Sequence, residues 1–221
     1  MFHAVIFDMD GVIIDSEPAH YDADSAMFKK LGIHLSHDER DLFLGVSSEW
    51  MWNYILAKYP VRLSKSEILA MDVSVRGEFL LAPDRLKVNP GVVDFIRRLL
   101  DAGIPLAVAS STVEGLLKQI LTELDLFKYF SQIAAGDEVK HAKPEPDVFM
   151  LAANRLNVPP SLCLAIEDSP NGIKAAKSAG MKCIGYSSLL NSIKLQEADI
   201  IIQHFDQLSL SLIQSVFNNE I

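Results

Sequence analysis

A four-residue apolar run, Ala4-Val5-Ile6-Phe7, stands near the start of the chain and stops at Asp8-Met9-Asp10-Gly11. A short continuous apolar run bounded by turn residues predicts a buried β-strand. The pattern then becomes helical for a long stretch. Ser16, Glu17 and Pro18 make a helix start, Ala19, Ala23, Met27 and Leu31 fall on one helical face, and Gly32 ends it. Ser36 with Glu39, and Ser64 with Glu67, have the spacing of capping boxes. Between them an aromatic segment with Trp50, Trp52, Tyr54 and Tyr59 closes at Pro60, and a further helix is predicted over 65–81. Residues 17–82 thus read as four helices without a strand.

Beyond Asn89-Pro90-Gly91 helix and strand alternate. Strands are predicted at 106–109, 132–135, 162–166, 182–185 and 199–202. Helices are predicted at 92–102, from a Thr112 cap to 124, at 147–156, at 171–178 and from about Asp206. Apolar strand runs between amphipathic helices imply a parallel sheet covered on both faces. The expected fold class is therefore α/β, a doubly wound parallel-sheet core of Rossmann type, with an all-helical cap inserted after the first strand. Residues 1–15 and 84–221 form the core and 16–83 the cap, joined by linkers near 12–17 and 82–87. Right-handed crossovers place the strand C-termini on one edge, where open α/β sheets bind ligands.

Composition narrows the partners. Of 221 residues, 49% are hydrophobic and the formal net charge is −9. A net anion does not suit a nucleic-acid backbone or an anionic membrane, but it leaves room for a phosphorylated metabolite met by local positive charge. The 2 cysteines, Cys163 and Cys183, lie in apolar runs and form no disulfide or zinc pattern. No leader or membrane-length apolar run is visible. A soluble cytoplasmic monomer is expected.

The residues after each core strand carry the chemistry. Asp8 and Asp10, two apart, start on one side of the strand and can aim at one small volume. Ser110-Ser111-Thr112 follow the second strand. Gly136-Asp137-Glu138, leading to Lys143-Pro144-Glu145-Pro146-Asp147, follow the third, and Glu167-Asp168-Ser169 the fourth. Facing carboxylates repel unless a cation lies between them or one holds a proton. Hard oxygen donors of this kind suit Mg²⁺, which also binds phosphate. A lysine and hydroxyl or backbone N–H donors supply further counter-charge, a carboxylate can act as nucleophile, and a second acid can move the proton. Phosphoryl transfer needs all of these parts.

Asp8-Met9-Asp10-Gly11-Val12, Ser110, Lys143-Pro144 and Glu167-Asp168-Ser169, in this order, resemble the four motifs of the haloacid dehalogenase superfamily. The likeness spans essentially the whole chain and extends to the class with a small helical cap. Within it the chain resembles β-phosphoglucomutase and the sugar-phosphate phosphatases. The resemblance implies Asp8 as nucleophile and Mg²⁺ ligand, and Asp10 as general acid/base that binds the metal through its carbonyl. It implies Ser110 as a holder of the phosphoryl group, Lys143 as charge stabiliser, and Asp168 as a metal ligand, with Glu167 either a ligand too or just behind the ligands. Ser111 is a further candidate for substrate contact. His20 near the hinge, and Ser47 and Ser48 at the Gly45-Val46-Ser47 loop, are candidate substrate contacts. Trp50 and Trp52 are read as cap core. Dehalogenating relatives lack the second aspartate, so haloacid substrates are not expected. The family's mutases place an arginine just after the Gly-Val-Ser loop, where this chain has Ser48-Glu49. Only Arg76, read as an exposed helical arginine, offers a substitute. The expected activity is a phosphatase for a small sugar or polyol phosphate. A sugar-phosphate isomerase, a pyrophosphatase, a receiver-type signalling domain and a non-enzymatic phosphate-binding module are the alternatives.

Overall fold

The computed structural model describes residues 2–36, 39–40, 42–43, 48–187 and 195–218. The chain divides into two compact units, Met1–Asp15 with Val88–Ile221, and Ser16–Lys87. The larger unit carries six parallel strands, β1 (Ala4–Phe7), β2 (Leu106–Ala109), β3 (Gln132–Ala134), β4 (Cys163–Glu167), β5 (Lys182–Tyr186) and β6 (Ile200–Ile202). They are ordered β3-β2-β1-β4-β5-β6. The strand order reverses beside β1, the switch point of a doubly wound sheet. The register Ile6 to Ala107 and Ala165 fixes β1 between β2 and β4. Every residue of β1, β2 and β4 is buried, which accounts for their unbroken apolar runs.

The helices of the smaller unit are α1 (Glu17–Leu31), α2 (Ser48–Lys58) and α3 (Lys65–Leu80). Those of the larger are α4 (Val92–Asp101), α5 (Glu114–Glu123), α6 (Asp147–Leu156), α7 (Pro170–Ser178) and α8 (Leu210–Asn218). Phe7 meets Phe95 of α4 and Phe130 edge-on, ring geometries that add to apolar burial. Both cysteines are buried free thiols. Among the described residues no helix is long and apolar enough to cross a membrane.

Two helix starts differ from expectation. Thr112 does not cap α5. The Glu114 N–H at its first turn donates instead to Asp137 Oδ1, 2.8 Å away across the sheet edge, and the Thr112 hydroxyl is engaged elsewhere. At the C-terminus a 3₁₀ turn, Phe205–Gln207, stands where the last helix was expected to begin. Gln207 Oε1 closes it by accepting from Gln203 N and His204 N. Ser209 then caps α8 by accepting from Leu212 N at 3.1 Å.

The helical unit has its own core of Met27, Phe28, Trp52, Ile55 and Ile68. Ser64 and Glu67 form a complete capping box at the head of α3. The helix expected after Ser36 falls partly outside the described residues. Its cap contacts are present, with Ser36 N donating to Glu39 Oε2 at 3.0 Å and Glu39 N to Ser36 Oγ at 3.3 Å. Trp52 is core, as expected, but Trp50 is 47% exposed. It stacks on Tyr54, with Phe43 edge-on to both, so it extends a surface aromatic cluster. One turn direction separates the two tryptophans: two residues along a helix turn a side chain to nearly the opposite face.

Glu39 also accepts from Lys58 and from the Tyr59 hydroxyl. Lys58, the Ser36 backbone and Tyr59 hold its carboxyl down at about 2, against an ordinary 4.5. A depressed folded value means that stability is fully present above about pH 4.5 and is lost as pH falls towards 2. Glu39→Gln should therefore flatten the acid side of a Tm-against-pH profile in that window. Parallel profiles for the two proteins would contradict the role of this carboxylate.

Candidate active site

Asp8 lies directly beyond β1, and its N–H donates to Ile166 O of β4 at 2.9 Å. The chain then turns sharply. Gly11 takes a left-handed φ of 77°, and Gly11 N donates to Ile14 O at 2.8 Å. Asn89, almost wholly buried, fastens this loop by donating Nδ2 to Gly11 O at 2.8 Å and Val12 O at 2.9 Å. Asn89 read in the sequence only as part of a turn. Its role depends on a partner 78 residues away, which local patterning does not reveal.

Lys143 arrives from the loop before α6. Its side chain is only 7% exposed. Nζ donates to Asp8 Oδ1 at 2.5 Å, Glu167 Oε1 at 2.7 Å and Ala109 O at 3.3 Å. The ammonium also lies 4.9 Å from the centre of the buried Phe149 ring, a cation–π contact. Burial alone would lower the lysine's pKa, but Asp8 and Glu167 overcome that and raise it. The lysine therefore stays charged.

Asp8 itself is pushed up to about 8. Burial is the main cause, Glu167 and Asp10 add repulsion, and Lys143 opposes them. Burial likewise raises the carboxyl of Asp168, with Glu167 and Asp8 repelling it. Asp10 is half-buried, and its Oδ2 accepts from the Thr112 hydroxyl at 3.1 Å. That contact explains the missing Thr112 cap and adds a residue that the sequence left open.

The adjacent acids of β4 part company. Glu167, 1% exposed, uses Oε1 for Lys143 and Oε2 for the Ser169 N–H and hydroxyl, each at 2.9 Å. Both its oxygens are engaged by these donors, and one of them holds the lysine. Asp168 turns the other way, over Gly11, where an added Cβ would fall 1.9 Å from Oδ2. Ser110 is fully buried, and its Oγ accepts from Thr112 N at 3.0 Å, a contact that leaves the hydroxyl proton for another acceptor. Ser111 is exposed, with its carbonyl packed over Gly136. Asp137 and Glu138 serve structure. The first caps α5, and the second pairs with Arg155 through two bonds of 2.7 and 2.9 Å.

Four carboxyl groups crowd round one ammonium here, and all the donors they offer are oxygens. That set fits a hard divalent cation. Among the described residues no three His, Cys, Asp or Glu side chains already converge as a ligand group. A cation here would draw on few carboxylates plus carbonyl oxygen and water, the habit of Mg²⁺.

The remaining candidates belong to the helical unit. Ser47 lies outside the described residues. Ser48 begins α2, followed by Glu49, which pairs with Lys65 at 2.6 Å. His20 Nδ1 is 3.0 Å from Arg76 Nη1. Arg76 is not the exposed arginine expected. Its side chain is 13% exposed and binds Asp24 at 2.5 Å and Asp72 at 2.8 Å. Asp72 lies one turn away on the same helix, but Asp24 is 52 residues away, so Arg76 looked solvated when read locally.

The family model for haloacid dehalogenase-like hydrolases matches residues 2–180. The chain belongs to this family. The phosphorylated carbohydrates phosphatase of Thermotoga maritima is 35% identical over 185 residues, 82% of this chain and 83% of that protein. Hexitol phosphatase B of Escherichia coli K12 is 32% identical over 182 residues, 82% of each chain. The crystal structure of β-phosphoglucomutase from Clostridium difficile matches with a TM-score of 0.85 at 28% identity, covering 100% of this chain and 99% of that one. The expected family and fold class are thereby met, and the family is one of hydrolases.

Breaking a buried ion pair from one side is strongly destabilising because the remaining charge is stranded. Lys143→Met should therefore lower unfolding free energy by about 3–5 kcal/mol, measured by urea denaturation near neutral pH. A loss no larger than that of an exposed pair, under about 1 kcal/mol, would contradict the shared-lysine arrangement.

Proposed function

We propose that the chain is a Mg²⁺-dependent phosphatase that hydrolyses a small sugar or polyol phosphate through a phosphoryl-Asp8 intermediate. The observation that carries this reading is the buried Lys143 ammonium, 2.5 Å from Asp8 and 2.7 Å from Glu167. It presents a fixed positive charge beside a carboxylate that has a second acid two residues away. The phosphatase names of the Thermotoga maritima and Escherichia coli relatives support the substrate class.

An Asp8 oxygen attacks phosphorus and the bond to the sugar oxygen breaks. Asp10 gives its proton to that leaving oxygen. Water then attacks the phosphoryl group on Asp8, Asp10 takes the water's proton, and inorganic phosphate leaves. Proton transfer of this kind contributes roughly 10²–10⁴-fold. Lys143 and the Ser110 hydroxyl meet the phosphoryl oxygens, and Thr112 orients Asp10. Asp8 and Asp168 are the side chains that would hold Mg²⁺, with the Asp10 carbonyl and water. The ion would supply positive charge against the phosphoryl oxygens and the Asp8 carboxylate. Lys143 alone leaves the Asp8 carboxyl near 8, so neutral-pH nucleophilicity calls for that added charge.

The isomerase reading is weaker on two observations. Arg76 has its guanidinium committed to Asp24 and Asp72, and Glu49 follows Ser48 where a second phosphate would need a cation. The helical unit is read as the family's inserted cap domain.

A screen of phosphorylated metabolites, including hexose and hexitol phosphates, tests the reading by released phosphate. EDTA should abolish turnover and Mg²⁺ restore it. Asp8→Asn should abolish activity while the protein still folds, and Asp10→Ala should slow sugar phosphates about 10²–10⁴-fold but spare good leaving groups. Turnover unaffected by EDTA or by Asp8→Asn would contradict the mechanism.

A further inference from the structure

Gly172 stands in the first turn of α7, and the Glu167 carboxylate occupies the space that a side chain would need. A Cβ at Gly172 would lie 1.7 Å from Oε1, 1.8 Å from Cδ and 2.3 Å from Oε2 of Glu167. Those are overlaps that a shift of a few tenths of an ångström cannot relieve in a close-packed interior. The backbone gives no other reason for glycine. Gly172 is not among the residues with positive φ, and alanine at a helical position is ordinarily favourable.

The consequences run along a short chain of contacts. Gly172 N donates to Ser169 Oγ at 3.0 Å. Ser169 donates its hydroxyl and its N–H to Glu167 Oε2. Glu167 Oε1 receives Lys143, and Lys143 reaches Asp8. Glu167 is 1% exposed, so a displaced carboxylate has no solvated position nearby that keeps these partners.

We propose that Gly172 is a positioning residue: its missing side chain admits the Glu167 carboxylate, and that carboxylate aims Lys143 at Asp8. The proposal rests on the phosphatase reading for the part Lys143 plays in turnover. Gly11 offers a parallel cradle for Asp168, but its φ of 77° makes any substitution there strained for a second reason. Gly172 separates the two effects.

Two readouts test it. In phosphate release from an aryl phosphate, Gly172→Ala should lose about 10–100-fold in kcat. Added to Glu167→Ala it should cost nothing further, because residues acting through one contact are not additive. Independently of turnover, acylation of Lys143 by an amine-reactive reagent, followed by peptide mass spectrometry, should rise in Gly172→Ala to the rate seen in Glu167→Ala. Equal losses in both backgrounds, or a Lys143 as protected as in the unsubstituted protein, overturn the proposal. If Gly172→Ala alone does not fold, Glu167→Ala/Gly172→Ala compared with Glu167→Ala decides. Matched activity and labelling support the proposal, and a further loss of about ten-fold or more overturns it. A wild-type protein that releases no phosphate sinks the functional reading instead, and the labelling comparison still decides the part played by Gly172.

Discussion

One buried ammonium organises the C-terminal end of this sheet's central strands. Lys143 is shared between Asp8 and Glu167, and its stem is enclosed so that the side chain is 7% exposed. Placing these charges away from water is costly, and the pair contacts offset that only while the geometry holds. Each surrounding element can be understood as holding it. β1 and β4 bring the two carboxylates side by side through the Ala4 to Cys163 register. The Ser169 turn fixes the far oxygen of Glu167. Ala109 at the end of β2 and Phe149 on α6 take the remaining sides of the ammonium.

The same arrangement divides the labour of the acids. Glu167 faces the lysine with one oxygen and the Ser169 turn with the other. Asp8 remains raised by burial despite Lys143, and Asp168 is raised too. The crowded carboxyl oxygens suit a hard cation, whose charge would draw these acids back towards ionisation. Behind β1 the loop takes a left-handed turn at Gly11, and Asn89 ties it down.

Much of this was legible in the sequence because it follows from local rules. The core strands are short apolar runs with turn residues on either side, and the Ser64–Glu67 box announces α3 through its own spacing. That Asp8, Asp10, Lys143 and Asp168 follow successive strands was legible from the runs before them, and the roles proposed for them come from resemblance to a family. What stayed hidden depends on partners distant in the chain. Thr112 has a residue type equally suited to capping a helix and to holding Asp10, and nothing nearby distinguishes them. Arg76 looked solvated because Asp24 is 52 residues away. The bonds from Lys143 and the Ser169 turn to Glu167 were likewise invisible, because the lysine is 24 residues away. Trp50 and Trp52 share composition and neighbourhood, yet helical rotation sends one inward and the other out.

The account stands on Asp8 as the atom acceptor and on Lys143 as the charge that makes it one. The most direct measurement is peptide mass spectrometry of acid-quenched turnover, made on the wild-type protein and on Lys143→Met. The account predicts a phosphoryl group on the Asp8 peptide of the wild type and none on that of the variant. Turnover in the wild type with the phosphoryl group on another residue, or equal labelling of Asp8 in both proteins, would contradict it.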